Sequence, residues 1–256
     1  MKLRWQAAGA THVGRVRRGN EDSLLVDAER GIFLVADGMG GHAAGEIASM
    51  LATDAVGTLL REGIDQGLQA DALLERMVEA LKLADAAIER HVLENPSTRG
   101  MGTTVTAVVL CADGTYRLGH IGDSRAYLMR NGELTQITRD HTWVQREVDE
   151  GRLTAQGARR HRLSHILTRA LGADSTDEPD VLSGTLLPGD RLLLCTDGLT
   201  GMLTDRMIAK VLRLEIRLED RLAELIRQAN ERGGRDNVTA VLVEILEEAV
   251  EERRLD

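Results

Sequence analysis

Short apolar runs separated by polar turns, and longer stretches in which apolar residues recur every three or four positions, alternate along this chain. Runs such as Gly31-Ile32-Phe33-Leu34-Val35-Ala36 and Arg191-Leu192-Leu193-Leu194-Cys195-Thr196 are too apolar to keep one face in water. They predict strands buried on both faces. Residues 23–26 and 31–36 predict a strand pair, followed by a helix over 43–60 that opens on the Gly40-Gly41 turn. A second helix is expected over 71–93, where Leu73, Leu74, Met77, Val78, Leu81, Ala84 and Ile88 fall at helical spacing and Glu94-Asn95-Pro96 stops it. Strands over 103–111, 115–121 and 125–130 are joined by Ala112-Asp113-Gly114 and Gly122-Asp123-Ser124, and Asn131-Gly132 turns the chain into 134–137. That order reads as an antiparallel meander, not a βαβ series.

The polar segment 142–171, rich in Arg and Gln, breaks the rhythm with short helices over 143–150 and 154–161 before the run 166–171. Such an insertion between strands is expected to be a substrate-facing flap. A strand over 190–196, helices over 205–213 and 219–231 and a strand over 237–246 follow; the charged tail 247–256 is expected to fray. Grouped helices and grouped antiparallel strands predict an α+β fold of two antiparallel sheets packed as a sandwich with helices on both sides, α-β-β-α. No linker divides the 256 residues, and the only prolines are Pro96, Pro179 and Pro188, so one domain over 1–246 is expected.

Composition removes several functional classes. A formal charge of −9 and 2% aromatic residues disfavour a nucleic-acid groove, which needs a basic surface and stacking platforms. No run approaches the roughly 20 apolar residues that span a bilayer, and residues 1–14 lack the apolar core of a signal peptide. The expectation is a cytoplasmic protein, acting as a monomer, with no membrane contact. Cys111 and Cys195 lie in apolar, strand-like runs and read as buried reduced thiols without a disulfide.

Against this background, five aspartates stand at the ends of apolar runs: Asp22, Asp37, Asp123, Asp197 and Asp236. An isolated Asp-Gly after a strand is most often a turn, because Asp bonds its own backbone and Gly accepts positive φ. Repetition beside long apolar runs points further. Each strand delivers a carboxylate to a sheet edge, and several carboxylates gathered there call for hard divalent cations. With no paired His or Cys ligands, Mg²⁺ or Mn²⁺ fits better than Zn²⁺. Two rival motifs carry less. Cys111 and Arg117 match the Cys-x5-Arg spacing of cysteine-based phosphatases, but the Asp113-Gly114 turn joins two strands where that chemistry needs a helix N-terminus. His161 and His165 stand four apart, yet the Glu of a zinc protease motif is missing.

Six ordered motifs then carry a resemblance. They are residues 11–22 ending in Asn20-Glu21-Asp22, Val35-Ala36-Asp37-Gly38-Met39-Gly40-Gly41-His42, Gly100-Met101-Gly102-Thr103-Thr104, His120-Ile121-Gly122-Asp123-Ser124-Arg125, Cys195-Thr196-Asp197-Gly198-Leu199 and Gly233-Gly234-Arg235-Asp236-Asn237-Val238-Thr239. From about Thr11 to Leu246 the chain resembles the metal-dependent protein phosphatases of type 2C, and the bacterial serine/threonine phosphatases in particular. The resemblance implies hydrolysis of phosphoserine and phosphothreonine in proteins by a hydroxide shared between two Mn²⁺ or Mg²⁺ ions, opposing a bacterial serine/threonine kinase and acting on its substrates. It implies that Asp37 bridges the ions, that the Gly38 carbonyl binds one and Asp197 and Asp236 the other, and that Glu21 and Asp22 hold metal-coordinated waters. Asp123 corresponds to the ligand of a third, weaker ion, and Arg17 to the phosphate-binding arginine, whose planar fork suits two phosphate oxygens. Arg15 and Arg18 stand close by, and only the spacing to Asn20-Glu21-Asp22 selects Arg17. Where animal members carry a proposed general-acid His after the Asp-Gly pair, this chain has Met39. His42 lies three residues on, so the leaving-group proton donor stays open. A phosphoprotein-binding pseudophosphatase is the other class the fold allows; loss of a metal carboxylate would mark it, and none is lost here.

Overall fold

A computed structural model describes residues 3–40, 43–111, 113–172 and 178–247. Strands β1 (Arg4–His12), β2 (Asp22–Asp27) and β3 (Ile32–Met39) precede helices α1 (Ala43–Asp65) and α2 (Ala70–Glu94). Next come β4 (Gly102–Thr103), β5 (Val105–Leu110), β6 (Thr115–Ile121), β7 (Arg125–Arg130) and β8 (Glu133–Gln136). Short helices α3 (Trp143–Asp149) and α4 (Ala155–Ala158) lead to β9 (Asp180–Thr185), β10 (Arg191–Cys195), α5 (Asp197–Thr200), α6 (Asp205–Leu212), α7 (Leu218–Glu231) and β11 (Val238–Leu246).

The strands form two antiparallel sheets, one in the order β1-β11-β10-β7-β8 and the other β2-β3-β5-β6-β9, with β4 paired to the end of β3. Side chains alternate between faces with the period of two that a strand imposes, and in the central strands β3, β5, β10 and β11 both faces are dry. In β3, Phe33 and Val35 point between the sheets to meet Leu192, Leu194, Val241 and Val243. Ile32, Leu34 and Ala36 point outward to α1 and α2, against Ala52, Val56, Met77 and Leu81. In β10 and β11, Leu193, Cys195, Ala240 and Leu242 face outward to Ile208 and Leu212 of α6 and Leu222 and Leu225 of α7. The result is the four-layer α-β-β-α sandwich that the patterning predicts. Truncating one of these fully buried leucines, such as Leu193 at 0% exposure, is expected to cost about 2–5 kcal/mol.

Several elements differ from the sequence reading. Residues 115–137 do not form one meander: β6 pairs in one sheet and β7 in the other, so the chain crosses between sheets at Gly122-Asp123-Ser124. Gly122 makes the crossing at φ +107, where a Cβ would stand 2.5 Å from that of Thr104. The strand expected over 103–111 is interrupted at Thr104, whose buried hydroxyl is occupied with Asp37 N–H at 3.0 Å and Ser124 Oγ at 2.7 Å. Within the flap, the run 166–171 is tied down by isolated bridges, Thr103 to Leu171 and Thr142 to Leu167. The first helix runs past residue 60 to Asp65. There Gly67, at φ +73, lets the Leu68 N–H reach the Gly63 carbonyl at 3.0 Å and close the helix end. Gly41 and His42, and the tail from 248 onward, lie outside the described residues. Among the described residues no helix is long and apolar enough to cross a membrane.

Candidate active site

One edge of the sandwich, where both sheets end, collects the five aspartates. Asp22 opens β2 and Asp37 sits near the end of β3, and the two are direct cross-strand partners. Like charges placed opposite one another in a sheet are unfavourable, so sheet geometry alone does not explain the pair. Asp123 lies on the crossing between β6 and β7, Asp197 begins α5 at the exit of β10, and Asp236 precedes β11.

The cluster is held from behind by backbone contacts that leave no slack. The Asp37 carbonyl accepts the Thr103 hydroxyl and the Thr104 N–H, both at 2.9 Å. Gly38 N–H donates to the Glu21 carbonyl at 3.1 Å, and that carbonyl also accepts the Ser49 hydroxyl of α1 at 2.6 Å. A Cβ on Gly38 would fall 2.0 Å from the Gly45 carbonyl oxygen and 2.5 Å from that of Glu21, so glycine is required by close backbone approach. Gly198 is under the same constraint, its missing Cβ lying 1.8 Å from the Asn237 carbonyl oxygen.

Asn237 has a part in the site that sequence reasoning passed over. Its side-chain carbonyl accepts the Glu21 N–H at 2.8 Å, and its amide donates to the carbonyls of Val13 and Gly19, both at 2.9 Å. One buried amide thus pins the loop carrying Arg17 and Glu21 to the strand that follows Asp236. The only sequence signal was its place in the Asp236-Asn237 pair.

Burial and mutual repulsion push the carboxyl groups toward their neutral forms. Asp37 is held well above the usual carboxylate range by burial, then by the charges of Asp22, Asp197, Asp123 and Asp236. Burial and Asp236 raise Asp197, against a hydrogen bond with Asp37 and the charges of Arg17 and Arg125. Asp123 is raised well above the range by burial, Asp197 and Asp140. Asp22 is pushed up to about 7 by burial, although Thr239 and Thr196 hydrogen bonds oppose the shift. Its Oδ2 accepts the Thr196 hydroxyl at 2.9 Å, whereas its Oδ1 is buried with no hydrogen-bond partner.

An orphaned buried carboxylate oxygen, a set of carboxylates that disfavour one another's charge, and an all-oxygen donor set fit hard divalent cations of the Mg²⁺ and Mn²⁺ class. Among the described residues no three acidic, His or Cys side chains close on one point as a ready-made cage.

Arg17 stands at the rim, its side chain 49% exposed, and donates from Nη2 to Asp236 Oδ2 at 2.7 Å. The neighbouring Arg15 is anchored through its backbone N–H to the Gly234 carbonyl at 2.7 Å. From Asp123 and Asp197 a cleft of about 750 Å³ runs out beneath the flap, lined also by Arg125, Arg159, His165 and Asp205. The flap is pinned across it by Arg159 to Asp205 at 3.0 Å, and Arg125 is clamped by both oxygens of Asp140 at 2.8 and 2.6 Å.

The rival motifs do not assemble. Cys111 sits in the turn after β5, burial raises its thiol pKa, and Arg117 donates to the Ala70 and Tyr116 carbonyls, both at 2.9 Å, instead of facing an anion site. His161 packs against Trp143 with ring centres 5.2 Å apart, in a stretch of turns after α4. The helical i, i+4 face that would pair it with His165 does not exist there. Met39 ends β3 opposite Gly102 and offers no proton.

Along most of its length the chain is similar to known proteins. The serine/threonine protein phosphatase PstP of Mycobacterium tuberculosis is 41% identical over 236 residues, 91% of this chain; the chain spans 44% of that relative's length. The crystal structure of the PstP catalytic domain in complex with two manganese ions superposes with a TM-score of 0.85 at 39% identity, covering 96% of this chain and all of that one (100%). The serine/threonine phosphatase stp of Listeria monocytogenes is 34% identical over 237 residues, 91% of this chain and 93% of its own. The profile of the family described as protein phosphatase 2C matches residues 8–247, and the chain belongs to that family.

Proposed function

We propose that this protein removes phosphate from phosphoserine and phosphothreonine in proteins, using Mn²⁺ or Mg²⁺, and that it reverses the action of a serine/threonine kinase in the bacterial cytoplasm as a single copy of the chain. The observation that carries the reading is the set of mutually repelling, buried carboxylates at the shared sheet edge, in a chain of this family. When bound, a pair of divalent cations supplies an activated water and positive charge for the phosphoryl oxygens. Asp37, the Gly38 carbonyl, Asp197 and Asp236 would hold that pair, with Asp22 and Glu21 beside it orienting water and Asp123 serving a weaker third ion.

Arg17 would bind the phosphoryl oxygens. Its exposed guanidinium already faces the cluster and has donors to spare beyond its bond to Asp236. The cleft beneath the flap gives the rest of the phosphoprotein a surface to lie on. The Cys111 thiol faces no anion site, which favours direct attack by water over a thiolate-borne phospho-enzyme. Residues 1–246 would form one catalytic domain with the flap inserted, and 247–256 a tail outside it.

The test is phosphate release from matched phosphoserine, phosphothreonine and phosphotyrosine peptides. Mn²⁺ should switch on hydrolysis of the first two, and EDTA should abolish it. Release that ignores EDTA, or none from any peptide with Mn²⁺ or Mg²⁺ present, would contradict the assignment.

A further inference from the structure

His141, buried at 3% exposure just ahead of the flap, is tethered at four points. Its backbone N–H donates to the Gly122 carbonyl at 2.8 Å, and its own carbonyl accepts the Thr168 N–H of the flap at 2.8 Å. On the ring, Nδ1 accepts the Gly122 N–H at 3.1 Å, and Nε2 lies 3.1 Å from Asp180 Oδ2. Asp180 Oδ1 accepts Arg169 Nη1 of the flap at 2.8 Å. Below sits the ring of His120, 4.6 Å away between centroids, its nitrogens directed at Thr106 Oγ1 and the Arg139 carbonyl.

The hydrogen-bond pattern fixes the tautomer. A backbone N–H only donates, so Nδ1 facing Gly122 is the unprotonated nitrogen, and the single ring proton is on Nε2, donated to Asp180. Burial, which pushes the His141 pKa down, favours the same neutral ring. Gly122 is the residue at which the chain leaves one sheet for the other, so its N–H looks to the imidazole for a partner. Asp123 is the next residue.

We propose that His141 and Asp180 are positioning residues: the Asp180-oriented imidazole fixes the Gly122 turn, and with it the Asp123 carboxylate, and couples that turn to the flap through Thr168 and Arg169. The pair touches neither substrate nor ion and acts through Asp123. The inference rests on the reading of Asp123 as a functional carboxylate.

Two substitutions separate the two ring nitrogens. His141→Asn keeps an acceptor at the place of Nδ1 and loses the reach to Asp180; His141→Gln reaches Asp180 and loses the acceptor for Gly122. In the metal-free protein, ¹⁵N resonances of the imidazole should show the proton on Nε2. The Gly122 amide should shift and exchange faster in His141→Gln and His141→Ala, and return toward wild type in His141→Asn. With Mn²⁺, kcat for p-nitrophenyl phosphate should fall by about tenfold or more in His141→Gln at unchanged KM, and His141→Asn should recover most of what His141→Ala loses. If His141→Gln fails to fold, Asp180→Ala, at a half-exposed position, is expected to lower kcat several-fold, again at unchanged KM. A proton on Nδ1, an unmoved Gly122 amide, or wild-type kcat in both His141→Gln and Asp180→Ala would overturn the proposal. Asp123→Asn separates this from the reading beneath it: wild-type kcat there would remove the role of Asp123, while the amide and imidazole signals would still report whether His141 holds the turn.

Discussion

Neutralising Asp22 should stabilise the metal-free protein while impairing its chemistry. The carboxyl is pushed from the ordinary 3.8 up to about 7 by burial and by neighbouring carboxylates. Because the folded state holds the proton more tightly than the unfolded chain, the stabilising contribution is complete below pH 3.8 and is lost as pH rises through about 7. A displacement of that size corresponds to at most about 4 kcal/mol lost at pH 8. For a chain of this length that is a ceiling of about 8–16 °C in Tm. Asn at position 22 can still accept the Thr196 hydroxyl, so the substitution removes charge without emptying the site. Thermal unfolding in EDTA should show Asp22→Asn melting above wild type at pH 8, with the difference shrinking toward pH 4. Mn²⁺ should narrow the gap, because ligand at a hundredfold excess over Kd stabilises wild type by about 2.7 kcal/mol. A metal-free Asp22→Asn protein that melts at or below wild type at pH 8, or a difference independent of pH, would refute the claim that the buried Asp22 charge costs the metal-free protein stability.

Arg17→Ala should lower kcat/KM for phosphopeptides by about tenfold or more, and Arg15→Ala, whose backbone makes the structural contact, much less; equal losses would show that Arg17 is not the phosphate ligand. Gly38→Ala places a methyl 2.0 Å from the Gly45 carbonyl, so it should cost about 1–3 kcal/mol in denaturant unfolding and most of the activity, and a variant with wild-type values would show that the approach of α1 to β3 is loose. Cys111→Ser should keep near-wild-type kcat, since its thiol faces no anion site; an inactive variant would revive the thiolate route.

The parts of the fold legible in the sequence were those with strong periodicity. Strands β3, β10 and β11 and helix α2 carry enough Val, Ile and Leu to be buried on one or both faces, and their limits fall within a few residues of expectation. The missed strands, β1 and β9, are sheet edges. β1 reads Arg-Trp-Gln-Ala-Ala-Gly-Ala-Thr-His, with small residues and an exposed face, and β9 contains Gly184 and is mostly half-exposed. These two gain order from pairing with a neighbour more than from their own apolar content, whereas the edge strands β2 and β8 sit beside clear turns and were legible. The crossing at Gly122-Asp123-Ser124 was misread because a hairpin turn and a step between sheets use the same residue types; only packing decides between them. The five aspartates were visible because each borders an apolar run. Asn237 and His141 were not, because their roles lie in hydrogen bonds to Glu21, Val13, Gly19 and Gly122, contacts no sequence spacing encodes.

The central claim is that the carboxylates at the sheet edge form a divalent-cation site on which phosphate-ester hydrolysis depends. Its most direct test is calorimetric titration of Mn²⁺ into metal-depleted protein, with phosphate release from a phosphothreonine peptide followed across the same titration. Wild type should take up two ions tightly, with activity rising as the second binds, while Asp37→Asn should lose the tight binding and the activity together. An Asp37→Asn protein that binds Mn²⁺ and turns over like wild type would contradict the account.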